Sequence, residues 1–137
     1  MNFSPVQQIA IGIAGITSLG IGAFILTAPH AFYASYGIAL GADPSLLSEL
    51  RAPGAGLAAL GGVMLAGIGR SELRQVAMVA ALIVFLAFPA GRIVSLLVDG
   101  IPSSGIIAAL ILELAIAAFC IFAFRPKSTQ PGRSAIQ

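Results

Sequence analysis

Residues 104–124 read SGIIAALILELAIAAFCIFAF. One charged residue, Glu113, interrupts a stretch of 21 residues that is otherwise almost wholly apolar. A helix rises about 1.5 Å per residue, so this stretch matches the roughly 30 Å of hydrocarbon in a bilayer. A barrel strand would alternate polar and apolar residues over about ten positions, and no such alternation occurs here. Three further stretches upstream have the same character, at residues 6–27, 46–69 and 73–98. Gln7, Gln8, Thr17 and Ser18 are the only polar interruptions of the first. The pattern predicts an all-α fold: an integral membrane four-helix bundle occupying residues 1–125, followed by a polar, disordered cytoplasmic tail over 126–137.

Composition points the same way. The 137 residues are 58% hydrophobic and 9% charged, against about 45–50% and about 25% in an ordinary soluble domain. Mean hydropathy is +1.03. A disordered chain would be rich in charge instead. The net charge of +2 comes with no cluster of Lys or Arg able to neutralise several phosphates, which argues against a nucleic-acid partner. There is no Gly-rich phosphate loop with a lysine and no histidine pair for zinc, so no cofactor and no metal are expected. The single cysteine, Cys120, cannot close an internal disulfide and reads as a buried, inert thiol.

Turn chemistry marks the ends of the spans. Pro29 follows the first. Asp43-Pro44 reads as an N-cap with proline at the first helical position. Gly69 closes the second span, Ser71 and Glu72 open the third, and Asp99-Gly100-Ile101-Pro102 separates the third from the fourth. No Lys or Arg precedes Val6 and the apolar run is long for a signal peptide, so the first span is expected to be a retained helix. Phe32, Tyr33 and Tyr36 between the first two spans predict a short helix lying in the membrane interface. His30, within it, reads as a solvated side chain, since one histidine holds a metal poorly.

Basic residues set the expected orientation. Arg70, Arg74, Arg125, Lys127 and Arg133 all fall on one side of a four-span chain. The positive-inside rule makes that side cytoplasmic, with both termini there. Small residues set the expected packing. Gly54, Ala58, Gly62 and Ala66 are spaced by four and read as one smooth face of the second span, while Gly12, Gly15 and Gly22 thin the first. Such faces serve packing within the chain, a homo-oligomer or a larger membrane complex, and membrane lipids are the other expected partners.

Charges within the spans carry the functional reading. Glu49, Arg51, Arg92 and Glu113 sum to zero. Each costs about 2.5–3.5 kcal/mol at a helix centre, so they are expected to face inward and pair. By helical rise, Arg51 lies roughly 10 Å inside the outer end of its span, Arg92 roughly 9 Å, and Glu113 about 15 Å, near the midplane. Glu49 is slightly shallower than Arg51. An arginine stem can close these differences in depth, so Arg92 is expected to contact Glu113 or Glu49. Pro53 and Pro89 lie beside this layer and free a carbonyl each, for which an arginine is a suitable partner. Arg92, Ser95 and Asp99 share a helix face.

The run Leu40-Gly41-Ala42-Asp43-Pro44 and the following Leu47-Ser48-Glu49-Leu50-Arg51-Ala52-Pro53-Gly54 resemble a family of small bacterial membrane proteins catalogued as domain of unknown function 4345. The similarity continues through Gly91-Arg92 and Glu113 and covers all but the tail. It implies four membrane helices and no particular activity.

Three functional readings follow from the charged layer. In the first, the protein is a structural or accessory subunit whose Glu/Arg network in the outer half of the bilayer locks the helices together. In the second, Glu49, Arg51, Arg92 and Glu113 line a polar pocket for a lipid-like amphiphile, with Glu113 as candidate acid or base of an enzyme. In the third, the same residues serve a proton-coupled carrier, for which four helices are few. A cavity at the charged layer discriminates among them, because a packing network needs none.

Overall fold

The computed structural model describes residues 2–126 and contains five α-helices there: α1 (Pro5–Thr27), α2 (Pro29–Ala34), α3 (Pro44–Gly69), α4 (Arg74–Val98) and α5 (Ser104–Ala123). A single 3₁₀ turn, Ser71–Leu73, joins α3 to α4. Four of the helices are long and apolar enough to cross a membrane, and the short α2 stands where the tyrosine-rich segment predicts it. Lys127, Arg133 and the rest of the expected tail lie outside the described residues.

Local chemistry fixes the helix ends. Ser4 and Gln7 form a reciprocal capping box, with Gln7 N donating to Ser4 Oγ at 3.3 Å and Ser4 N to Gln7 Oε1 at 3.0 Å. Asp43 Oδ1 accepts from Ser45 N at 3.0 Å, and Pro44 supplies the pre-set φ of the first turn. Gly100, after α4, adopts φ +101°, which a residue with a side chain tolerates poorly.

The bundle is built inside out relative to a soluble protein. Its buried positions are largely small: Ala10 and Ala14 in α1, Gly54 and Gly61 in α3, Ala77, Ala80 and Ala81 in α4, Ala117 in α5. Its exposed positions are large, including Ile9, Ile16, Val79, Ile83, Val94, Ile111 and Phe122. In water that surface would be a very large apolar patch. In lipid it is the solvated side, and association relies on close backbone approach instead.

The tightest approach is between α1 and α3. A Cβ placed on Gly22 would run into the backbone of Ala58, and one on Gly61 into that of Leu19. The face that does this is Gly54, Ala58, Gly61, with Leu65 covering Gly15, and it corrects the expected stripe of Gly54, Ala58, Gly62 and Ala66. A strict four-residue step overshoots the 3.6-residue turn by about 40° each time, so by Gly62 the stripe has rotated out of the contact. A Cβ on Gly62 would meet nothing within 4 Å.

The two halves of the bundle differ. In the half opposite α2, Ala10, Ile11, Ala14, Met64, Ala77, Ala81, Ala117 and Cys120 close into a dense core. Arg74 ties the N-terminal segment to that end: its Nη2 donates to Asn2 Oδ1 at 2.9 Å and its guanidinium lies 5.5 Å from the centre of the Phe3 ring. In the half beneath α2, α1, α4 and α5 stand apart around a cavity. Buried Pro89 sits within the cavity half of α4, between the lining residues Phe88 and Gly91, and interrupts the helical hydrogen-bond ladder there.

Candidate functional site

The cavity has a volume of about 810 Å³. Its walls come from α1 (Thr17, Ser18, Ile21, Ile25), α4 (Val84, Phe85, Phe88, Gly91, Arg92) and α5 (Ala109, Leu112, Glu113), with only Leu57 from α3. It is open beside Phe88 and Leu112, which line it and are themselves exposed. The size falls within the range of small-molecule sites, about 300–1,000 Å³, and so does the character: mostly apolar walls with a few convergent polar groups.

An aromatic roof closes one end. Phe32 of α2 is buried and makes edge-on contacts with Phe24, Tyr33 and Tyr36 at centroid separations of 5.5, 5.2 and 5.1 Å. Such T-shaped pairs place positive ring edges on negative ring faces. Both tyrosines line the cavity. Burial pushes the Tyr33 phenol above its ordinary value of 10.0, with Arg92 opposing the shift and Tyr36 adding to it. Tyr33 is therefore a hydrogen-bond donor at any physiological pH. His30 points away, exposed, with Nε2 3.1 Å from the Gly41 carbonyl oxygen.

Arg92 and Glu113 form the polar centre. Arg92 Nε donates to Glu113 Oε2 at 2.9 Å and Oε1 at 3.2 Å, and Nη2 donates to Oε1 at 3.1 Å. The register explains the residue types. Arg92 lies six residues before the end of α4 and Glu113 nine residues after the start of α5, so the acid is about one turn deeper in an antiparallel pair. The arginine stem spans that step, and the planar guanidinium then meets the carboxylate in a fork. Both line the cavity; Glu113 keeps 10% of its side-chain surface and Arg92 keeps 29%, so the arginine is the more accessible partner. Only two of its five N–H donors are used; the others have no partner among the described residues. Nearby, Ser95 Oγ donates to Asp99 Oδ2 at 2.9 Å, along the face that sequence spacing predicts.

Glu49 and Arg51 do not join this centre. Both are exposed, and among the described residues neither forms an ion pair. Ile25 packs on Gly54 and α1 ends two residues later, so the first two turns of α3 meet only the last residues of α1 and the short α2. Arg51 lies instead in a separate shallow groove with Leu26, Leu47, Ser48 and Ala55. The expected four-residue layer is thus one ion pair at a cavity and two unattached charges on α3. The carbonyls freed by Pro53 and Pro89 accept no hydrogen bond from either arginine among the described residues.

Ser18 is the residue that sequence reasoning passed over. It is 1% exposed and lines the cavity, and among the described residues its Oγ has no hydrogen-bond partner. Its signal was a hydroxyl in an otherwise apolar span, between Gly15 and Gly22 on the packed side of α1.

Fold and site together define a small four-span helical membrane protein with a polar-centred cavity in one half of the bundle. Residues 6–124 match the family described as Domain of unknown function (DUF4345), and the chain belongs to that family. No curated protein and no solved structure shows a significant match to it.

Proposed function

We propose that this protein binds an uncharged, oxygen-bearing amphiphile in the cavity beneath α2, with the head of the ligand on Arg92 and its hydrocarbon along Ile21, Ile25, Leu57 and Phe85. The observation that carries this reading is the juxtaposition of the cavity with an arginine that has donors to spare. A subunit whose charges serve packing alone would close around them. Charge accounting selects the class of head group. Among the described residues Arg92 and Glu113 are the only ionic ones lining the cavity, and they neutralise each other. An anion would add an uncompensated charge to a partly buried site, whereas an ester, ketone or hydroxyl oxygen accepts from Arg92 without doing so. Both Glu113 oxygens are engaged by Arg92, an arrangement that favours a clamp over a free acid or base.

Methyl stearate tests this directly. It is expected to raise the unfolding midpoint of the purified protein in mild detergent, by mass action on the folded state. Ionised stearate is expected to raise it less. Gly91 supplies the control, because it lines the cavity and a side chain added there meets open space. Gly91→Leu puts a branched side chain on the cavity wall, its Cβ at least meeting no clash, and is expected to abolish the shift. No shift in the wild type, or an equal shift in Gly91→Leu, overturns the reading.

The same reading places both termini in the cytoplasm of a bacterial cell, with the cavity in the outer half of the inner membrane. It rests on the basic residues Arg70, Arg74 and Arg125, at the opposite end of the bundle from α2. Reporter fusions after Gly100 and after Arg125 are expected to read periplasmic and cytoplasmic respectively; the inverse pair would reverse that assignment, and matching signals would sink the four-span topology.

A further inference from the structure

Toward the α2 end of the cavity, Arg92 is followed by a group of opposite sense. Ser95 lines the same cavity three residues on, roughly 4.5 Å nearer the end of α4, and is exposed. Its Oγ donates to Asp99 Oδ2 at 2.9 Å, and an ionised carboxylate only accepts, so the one hydroxyl proton is committed. Among the described residues nothing donates to Ser95 Oγ in return. Ser95 therefore offers the cavity an acceptor, where Arg92 offers only donors. The cavity is also open sideways. Ala87, Phe88 and Gly91 of α4 and Ala108 and Leu112 of α5 line it and are exposed, along the seam that the Arg92–Glu113 pair bridges. In a bilayer that slot faces hydrocarbon, so one chain of a ligand fits inside the bundle while another stays outside it.

We infer that the ligand is a diacylglycerol with a free hydroxyl: an ester carbonyl accepts from Arg92, the hydroxyl donates to Ser95 Oγ, one chain fills the cavity and the other lies outside the slot. This rests on the binding role proposed above and names its head group. The order of the two groups fits, since the acceptor is met deeper and the hydroxyl nearer the membrane surface. A methyl ester supplies the carbonyl but no donor for Ser95. A fatty alcohol supplies one oxygen for two positions. A phosphate head adds an uncompensated charge beside Arg92–Glu113 and meets the exposed carboxylate of Asp99 as well.

The test titrates 1,2-dioleoylglycerol beside its 3-O-methyl ether, which keeps both esters and both chains and lacks only the hydroxyl proton, with methyl stearate as reference. Unfolding is followed by maleimide labelling of Cys120, the chain's one cysteine and fully buried in the fold. Dioleoylglycerol is expected to half-saturate at about three- to tenfold lower concentration than the ether, the worth of one hydrogen bond. Ser95→Ala, at an exposed helical position where alanine is well tolerated, is expected to bring the two diacyl lipids level. If they behave alike in the wild type, or if the preference survives in Ser95→Ala, the role of Ser95 is overturned while the binding cavity stands. If methyl stearate shifts the midpoint and neither diacyl lipid does, the slot admits no second chain and the inference is overturned. If none of the three esters shifts the wild-type midpoint, the binding role falls and this inference with it.

Discussion

Arg92→Leu is expected to destabilise the fold by about 3 kcal/mol, the lower end of what removing one partner of a buried ion pair costs. The lower end applies because Arg92 retains 29% of its side-chain exposure, while Glu113 retains 10%. The loss arises at Glu113. Without Arg92 its carboxylate would be left in the bundle with none of the three hydrogen bonds it now accepts. The double variant Arg92→Leu/Glu113→Leu is therefore expected to recover at least half of the loss, since two leucines at that level pack as ordinary membrane-helix residues. A denaturant titration in mild detergent measures all three proteins. A double variant no more stable than Arg92→Leu would mean that the pair does not couple α4 to α5.

Gly61→Ala should have an effect of similar size, from a single added methyl group. The new Cβ would collide with the backbone nitrogen of Leu19 and lie 2.8 Å from the Gly15 carbonyl oxygen. Backbone atoms cannot swing aside as a flexible side chain can, so α1 and α3 must separate along their contact. Overpacking of this kind costs about 1–3 kcal/mol, and the upper value is expected where both obstacles are main chain. Gly62→Ala is the matched control one residue on, with nothing within 4 Å of its new methyl. It is expected to be neutral, or stabilising by up to about 1 kcal/mol because alanine loses less backbone entropy in a helix. Equal effects of the two substitutions would place the α1–α3 contact on a different face.

These two expectations show where linear reading succeeds and where it stops. The four long helices were legible because hydrophobic length over lipid thickness is a property of the chain alone. Their ends were legible too, since Asp43-Pro44 and Gly69 act on the backbone within a turn. The Arg92–Glu113 pair was legible as one of two options. Depth along each span can be counted, and a charge in a membrane must find its opposite.

The face of α3 was not legible. Gly61 and Gly62 are adjacent and identical, and only the position of α1 decides that one is packed and the other open. The same applies to Glu49 and Arg51, which share their span with a cavity they do not reach, because both side chains are on the exposed surface of α3. Ser18 was visible only as a polar letter in an apolar run.

Four membrane-length helices with compensating charges inside them follow from each segment's own transfer and hydrogen-bonding energy, and so can be read along the chain. Which charges meet, which glycines touch, and that α1, α4 and α5 stand apart beneath α2 emerge in the assembled bundle. Those depend on how four similar apolar rods rotate and tilt against one another. In lipid no strong solvent force orients the rods, so close contacts between small residues and a single ion pair set the arrangement.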